Sequence, residues 1–353
     1  MVLKLRAFAD TGAPPGSTDY TTLVLLHGFV WHSGIFARLL PLATSYNARV
    51  ILVNRPDYPD APQYTDEERA LLKDVCALSD DPATLADRRD QLLDFMKDRS
   101  REVYDFLGGL VIAGDVSPAD KAKNKGGIVI GGWSFGAAWI TALLTYADAF
   151  PIEPVDLSKH VRQVILHDPG TRILGYPTDA VPDPYNPAVP PFRPADGDRA
   201  ADVFVSWVSG YFSHGSTLAA YERRTPLAHP APTIVTLSAA DLAAARHAPA
   251  ADPATGADAL LFRAALAADV LRQLRQRALA RTPGSEWGVV GVRLVLCTRS
   301  VWEMPYAVDC VLEELETARA EGRPVRDVEV VRVDGNHFVH WDRPEEAMRG
   351  FLA

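Results

Sequence analysis

Cysteine is scarce in this chain: 353 residues carry only Cys76, Cys297 and Cys310. Three widely separated cysteines exclude a disulfide framework and a zinc site built from paired ligands, leaving ordinary thiols. Long apolar runs are missing too, and none approaches the roughly 20 residues of a membrane-spanning helix. Dense Lys/Arg clusters are absent. With 36 basic against 45 acidic residues the formal net charge is -9, which argues against nucleic acid or an anionic membrane as the principal partner. The stretch Met1 to Ala13 mixes Lys4, Arg6 and Asp10 among its apolar residues, unlike the core of a secretory signal, so a cytoplasmic location is expected. No dinucleotide fingerprint, P-loop or metal-spaced His/Asp/Glu cluster occurs, and neither cofactor nor metal is expected.

What is present reads as an ordinary globular protein, 48% hydrophobic and 23% charged. The length exceeds one usual domain yet falls short of two comfortable ones, which suits a single core with a large insertion. Apolar runs Thr22 to Leu26, Ala48 to Val53, Gly127 to Ile130, Val161 to Leu166, Val292 to Cys297 and Val328 to Val333 read as buried strands closed by loop residues. Helical spacing recurs over Gly34 to Ala43, Leu85 to Val111, Ala137 to Ala149 and about Tyr306 to Glu321. Alternating strands and helices imply an α/β fold with a mainly parallel sheet flanked by helices, its ligands beyond the carboxyl ends of the strands. From Gly170 to about Gly284 the strand rhythm stops. A proline-rich passage there precedes helix-like segments near Ala200 to Phe212, Ala239 to Arg246 and Asp258 to Arg281. The expected division is therefore a core of residues 1–169 and 285–353 around an inserted helical cap of residues 170–284.

Chemistry concentrates at strand ends. Gly132-Trp133-Ser134-Phe135-Gly136 fits the G-x-S-x-G elbow, where glycines allow a tight strand-to-helix turn that lifts a serine hydroxyl clear of the sheet; strand before and helix after are the context this motif requires. Serine needs a neighbouring base to become nucleophilic. His337, in Gly335-Asn336-His337-Phe338 after the last strand, is the candidate, ahead of His340, which is read as a packing histidine. An oxyanion would find backbone N–H donors at Phe135 and, after the early strand, at Phe29 in His27-Gly28-Phe29. His27 itself reads as a structural residue that shapes its loop.

Together these three motifs resemble the α/β-hydrolase superfamily across nearly the whole chain outside the insertion. Asn54-Arg55-Pro56-Asp57-Tyr58-Pro59 and Leu166-His167-Asp168-Pro169 resemble fungal hydrolases more narrowly, and the chain is distantly similar to zearalenone lactonases. Many such relatives carry glycine after the proline of the loop following the third strand, where this chain has Asp60. The resemblance implies a Ser…acid…His triad, and the acid is the difficulty. The loop after the penultimate strand, Cys297-Thr298-Arg299-Ser300-Val301-Trp302-Glu303, lacks the familiar aspartate and offers Glu303. Asp168, directly at the end of the strand after the nucleophile helix, is the favoured alternative, because some members of the superfamily take their acid there.

Trp133, beside the serine, and Trp207 and Tyr211, at helical spacing in the insertion, are read as substrate contacts, with packing as the plainer reading. The expected partner is a small to medium hydrophobic ester or lactone. C–C cleavage, lyase or cyclase chemistry in the same pocket, or a binding protein of hydrolase descent, are the competing readings.

Overall fold

A computed structural model describes residues 4–76 and 81–352, with the side chains of residues 197 and 198 left out. Met1 to Leu3 of the N-terminal stretch therefore lie outside the described residues.

Strand β1 (Arg6–Asp10) is followed by β2 (Thr21–Leu26), β3 (Ala48–Asn54), helices α1 (Asp66–Val75) and α2 (Pro82–Ile112), β4 (Ile128–Trp133), α3 (Ala137–Tyr146) and β5 (Val161–His167). The segment after β5 carries α4 (Gly197–Val208), α5 (Thr233–Thr236), α6 (Ala239–Ala245), α7 (Ala257–Ala267) and α8 (Val270–Leu279). The chain then closes with β6 (Gly291–Cys297), α9 (Glu303–Ala320), β7 (Val328–Val333), α10 (Val339–Asp342) and α11 (Pro344–Leu352). The sheet has seven strands in the order β1-β3-β2-β4-β5-β6-β7, all pairs parallel except β1 with β3.

Every residue of β2, β3, β4 and β5 is buried. Because side chains alternate between faces, both faces of the central sheet are covered, as parallel strands demand. One helical layer joins α2, α3 and α8; another joins the helical turns Ser33–Leu42, α10 and α11. Parallel neighbours put the carboxyl ends of β2 to β7 on one rim, and Ser134, Asp168 and His337 all follow strand ends there.

The structure differs from the sequence reading in a few places. Strand β1 was not anticipated: it is short, largely exposed, and pairs only along one edge. Helix α1 was not anticipated either, although Thr65 and Glu68 form a reciprocal capping box at its start. The single helix expected over Asp258 to Arg281 is two, α7 and α8, broken where Asp269 takes a left-handed φ of 60°. The end of the inserted segment, α8, packs along α3 in the helical layer over the sheet.

Candidate active site

The elbow explains its own glycines. Ser134 sits at φ 52° between β4 and α3, a conformation that costs a non-glycine residue roughly 1–2 kcal/mol. Such a tight turn brings backbone against backbone: a Cβ on Gly132 would lie 2.3 Å from the Gly136 carbonyl oxygen, and one on Gly136 would lie 2.6 Å from the His27 carbonyl oxygen. Only hydrogen fits at either place. The early loop comes equally close, since a Cβ on Gly28 would meet the Ser134 Cβ at 3.0 Å.

Asp168 and His337 meet at the same rim. Asp168, 1% exposed, follows β5 with a left-handed φ of 50°. Its Oδ2 lies 2.8 Å from Nδ1 of His337, which is 3% exposed. With Nδ1–H donating to the carboxylate, the neutral imidazole keeps its Nε2 lone pair as a proton acceptor. The carboxylate is held by two further donors: the Cys297 N–H at 2.8 Å on Oδ1 and the Ser300 hydroxyl at 2.5 Å on Oδ2. The loop after β6, which contains no aspartate, thus supplies donors to an aspartate on the adjacent strand. Burial pushes the Cys297 thiol well above its ordinary range, and the Asp168 charge beside it adds to the effect.

The backbone around His337 is fixed from three sides. The Trp133 indole N–H donates to the His337 carbonyl at 3.0 Å, with the two rings 4.9 Å apart. Asn336 donates through Nδ2 to the Ser209 carbonyl at 2.6 Å and to the Thr233 hydroxyl at 2.7 Å. Both of those acceptors belong to the insertion.

The other sequence candidates have different surroundings. Glu303 opens α9 and is buried, accepting from Asn186 Nδ2 at 2.9 Å, with Arg172 at 3.6 Å; burial raises its pKa despite these partners. It makes no bond with His337. His340 is fully buried, its Nδ1 3.3 Å from His167 Nε2 and its ring against Phe36 and Trp133. Burial holds it neutral far below the usual histidine range, reinforced by His167 and His337. Trp207, buried in the insertion, donates its indole N–H to the Arg223 carbonyl at 2.7 Å. The Tyr211 hydroxyl donates to Asp342 at 2.7 Å, tying insertion to α10. Trp133 is likewise buried and committed through its N–H, so all three aromatics read as substrate contacts are occupied by packing and anchoring.

Phe29 and Phe135 face each other edge to face at 6.1 Å, and Phe262 of α7 joins them at 6.4 and 5.5 Å. Phe262 escaped sequence reasoning because its α7 position marks it only as one apolar residue among many. Ser300 was visible but silent: nothing about a lone serine shows that a carboxylate two strands' loops away will need it. Among the described residues no group of three or more His, Cys, Asp or Glu side chains is placed to hold a metal ion, and no helix is long and apolar enough to cross a membrane.

Comparison with known proteins fits this architecture. The chain superposes on the crystal structure of Cfl2 from Burkholderia cenocepacia with a TM-score of 0.53 and 16% identity, covering 95% of this chain and 87% of that one. A laboratory-evolved variant of a potato epoxide hydrolase gives 0.50 and 14%, covering 99% and 95%. At these identities the likeness concerns the fold. No curated protein sequence matches the chain. A family model does, over residues 23–349, and with nearly the whole chain matched, this protein belongs to the alpha/beta hydrolase family.

Proposed function

We propose that this protein hydrolyses carboxylic esters or lactones of small to medium apolar molecules through an acyl-enzyme. The observation that carries the reading is the buried Asp168–His337 bond at 2.8 Å, at the rim where Ser134 stands on a strained elbow. Ser134 attacks the carbonyl carbon while His337 Nε2 takes its proton; Asp168 stabilises the imidazolium; the Phe29 and Phe135 N–H groups receive the oxyanion. The imidazolium then protonates the leaving alcohol, and water, activated by the same histidine, releases the acid.

A serine at position 134 itself favours acyl chemistry. Attack by serine on an sp3 carbon, such as that of an epoxide, would leave an ether with no carbonyl for water to reopen. The half-buried Phe29 and Phe262, beside buried Phe135, supply an apolar wall suited to the acyl or ring portion of a substrate. The inserted helices, anchored to the histidine loop through Asn336 and Asp342, act in this reading as a cap that limits substrate size.

Short p-nitrophenyl esters test the assignment. Ser134→Ala and His337→Ala should each lower kcat on the order of a thousandfold or more while leaving the unfolding temperature near the wild-type value. A fluorophosphonate should label the wild type and not Ser134→Ala. Near-normal turnover in either variant would refute the triad.

A further inference from the structure

Beneath the early loop lies a fully buried charge pair that the proposed chemistry does not use. Arg55, just after β3, is 0% exposed and grips Asp258 of α7, 2% exposed, with both ends of its guanidinium: Nη1 to Oδ1 at 2.8 Å and Nη2 to Oδ2 at 2.7 Å. Removing two charges from water is costly, and a buried ion pair is weak evidence for stability alone. Its remaining contacts are more informative. Arg55 Nη2 also donates to the Gly28 carbonyl at 2.9 Å, while its backbone N–H donates to Nε2 of His27 at 3.1 Å. An imidazole that accepts at Nε2 carries its proton on Nδ1 when neutral, and His27 Nδ1 lies 3.0 Å from the same Gly28 carbonyl. Burial, followed by the neighbouring Arg55 charge, keeps His27 neutral. Two donors therefore converge on one carbonyl oxygen.

That carbonyl shares its peptide unit with the Phe29 N–H. The unit is planar and trans, so the C=O and N–H point in opposite directions, and holding the oxygen towards Arg55 aims the N–H away from it. The next peptides are pinned as well. The Val30 N–H donates to the Tyr58 hydroxyl at 3.0 Å, and that hydroxyl donates to Asp258 at 2.6 Å; the Val30 carbonyl accepts from His247 N at 2.6 Å. Val30 is thereby kept at φ 71°, which a β-branched residue adopts only under constraint. Among the described residues the Phe29 N–H has no intramolecular acceptor.

We infer that Arg55, oriented by Asp258 and assisted by His27 and Tyr58, is a positioning residue that sets the direction of the oxyanion-binding N–H of Phe29. Because Asp258 comes from the insertion, the donor is aimed only when α7 is seated. This rests on the ester-hydrolase reading and adds to it a residue pair that touches neither substrate nor reacting atoms.

The test compares an ester with its thionoester, whose sulfur is a poor hydrogen-bond acceptor and gains little from an oxyanion hole. In Asp258→Asn the guanidinium loses its charged partner, and the ester-to-thionoester ratio of kcat should shrink about tenfold or more, chiefly through slower ester turnover. A merely structural role would lower both rates equally, through a smaller active fraction, and leave the ratio at the wild-type value; that result would overturn the inference. Should Asp258→Asn fail to fold, Tyr58→Phe interrupts the Val30–Asp258 link with the ion pair intact. A compression of about threefold is expected there, and an unchanged ratio would equally overturn it. Failure of the underlying reading looks different: the wild type itself would then not turn over the ester.

Discussion

Asp168 and Glu303 are the two carboxylates that the sequence offered to one histidine, and it is Asp168 that bonds to it. Asp168 has a short side chain and almost no loop to cross, and three donors converge on its two oxygens. Glu303 lies in the first turn of α9 and is engaged with Asn186 and Arg172. Asp168→Asn is expected to lower kcat by several orders of magnitude, because an amide stabilises the wrong tautomer and cannot support imidazolium; Glu303→Gln should stay within about threefold of wild type. Ser300→Ala should lie between, near a tenfold loss, since the carboxylate keeps its backbone donor. Steady-state kinetics on one ester rank the three, and a larger effect at Glu303 than at Asp168 would reverse the assignment. The sequence set Ser134, His337 and Asp168 just beyond apolar runs, and in the structure they follow the ends of β4, β7 and β5, so their placement was legible because it depends on strand ends alone. Arg55 and Asp258 were not: the pair spans 203 positions, and neither residue carries a local mark of its partner.

At the level of single elements, patterning found six of the seven strands, the edge strand β7 among them, and missed β1. Strand β1 and helix α1 escaped notice because their apolar signal is weak, yet the Thr65…Glu68 spacing announced the helix start. Asp60 has φ 62°, a left-handed conformation that aspartate tolerates better than most residues. The turn at Ser33–Leu42 is capped by His32, whose Nδ1 accepts from the Gly34 N–H at 3.2 Å. A protonated ring could not accept. Burial, followed by repulsion from His247 and opposed weakly by Asp60, holds the folded-state pKa down at about 4. An unfolded histidine protonates near 6.5, so the unfolded chain binds more protons between those values. The contribution of His32 is thus fully present above about pH 6.5 and is lost as pH falls towards 4, by up to about 3 kcal/mol. His32→Asn keeps an acceptor without a titrating group, and denaturant melts of both proteins at pH 7 and pH 4.5 should show the variant losing less stability. Equal losses would assign the acid sensitivity elsewhere.

Across the whole molecule the insertion and the core are stitched together at buried points: Arg55 with Asp258, Asn336 with Ser209 and Thr233, Tyr211 with Asp342, and α8 along α3. A division of the chain read from composition and strand rhythm does not reveal such joins, because each links residues far apart in sequence. They predict that the insertion does not unfold separately. In native-state hydrogen exchange, the slowest amides of α7 and α8 should open with the same free energy and denaturant dependence as those of β4 and β5; a distinct low-energy opening of α7 and α8 would refute this. The two rims of the sheet that run along its outer strands carry a different consequence. On one side β1 shows exposed Arg6 and Asp10 and a register shift between Ala7 and Ala9, and on the other β7 exposes Glu329 and Arg332. Charged edges, one of them also irregular in register, offer a poor template to a strand from another molecule. The protein is therefore guarded against edge-to-edge aggregation even while its interior strands, apolar at most positions, hold the segments most prone to it.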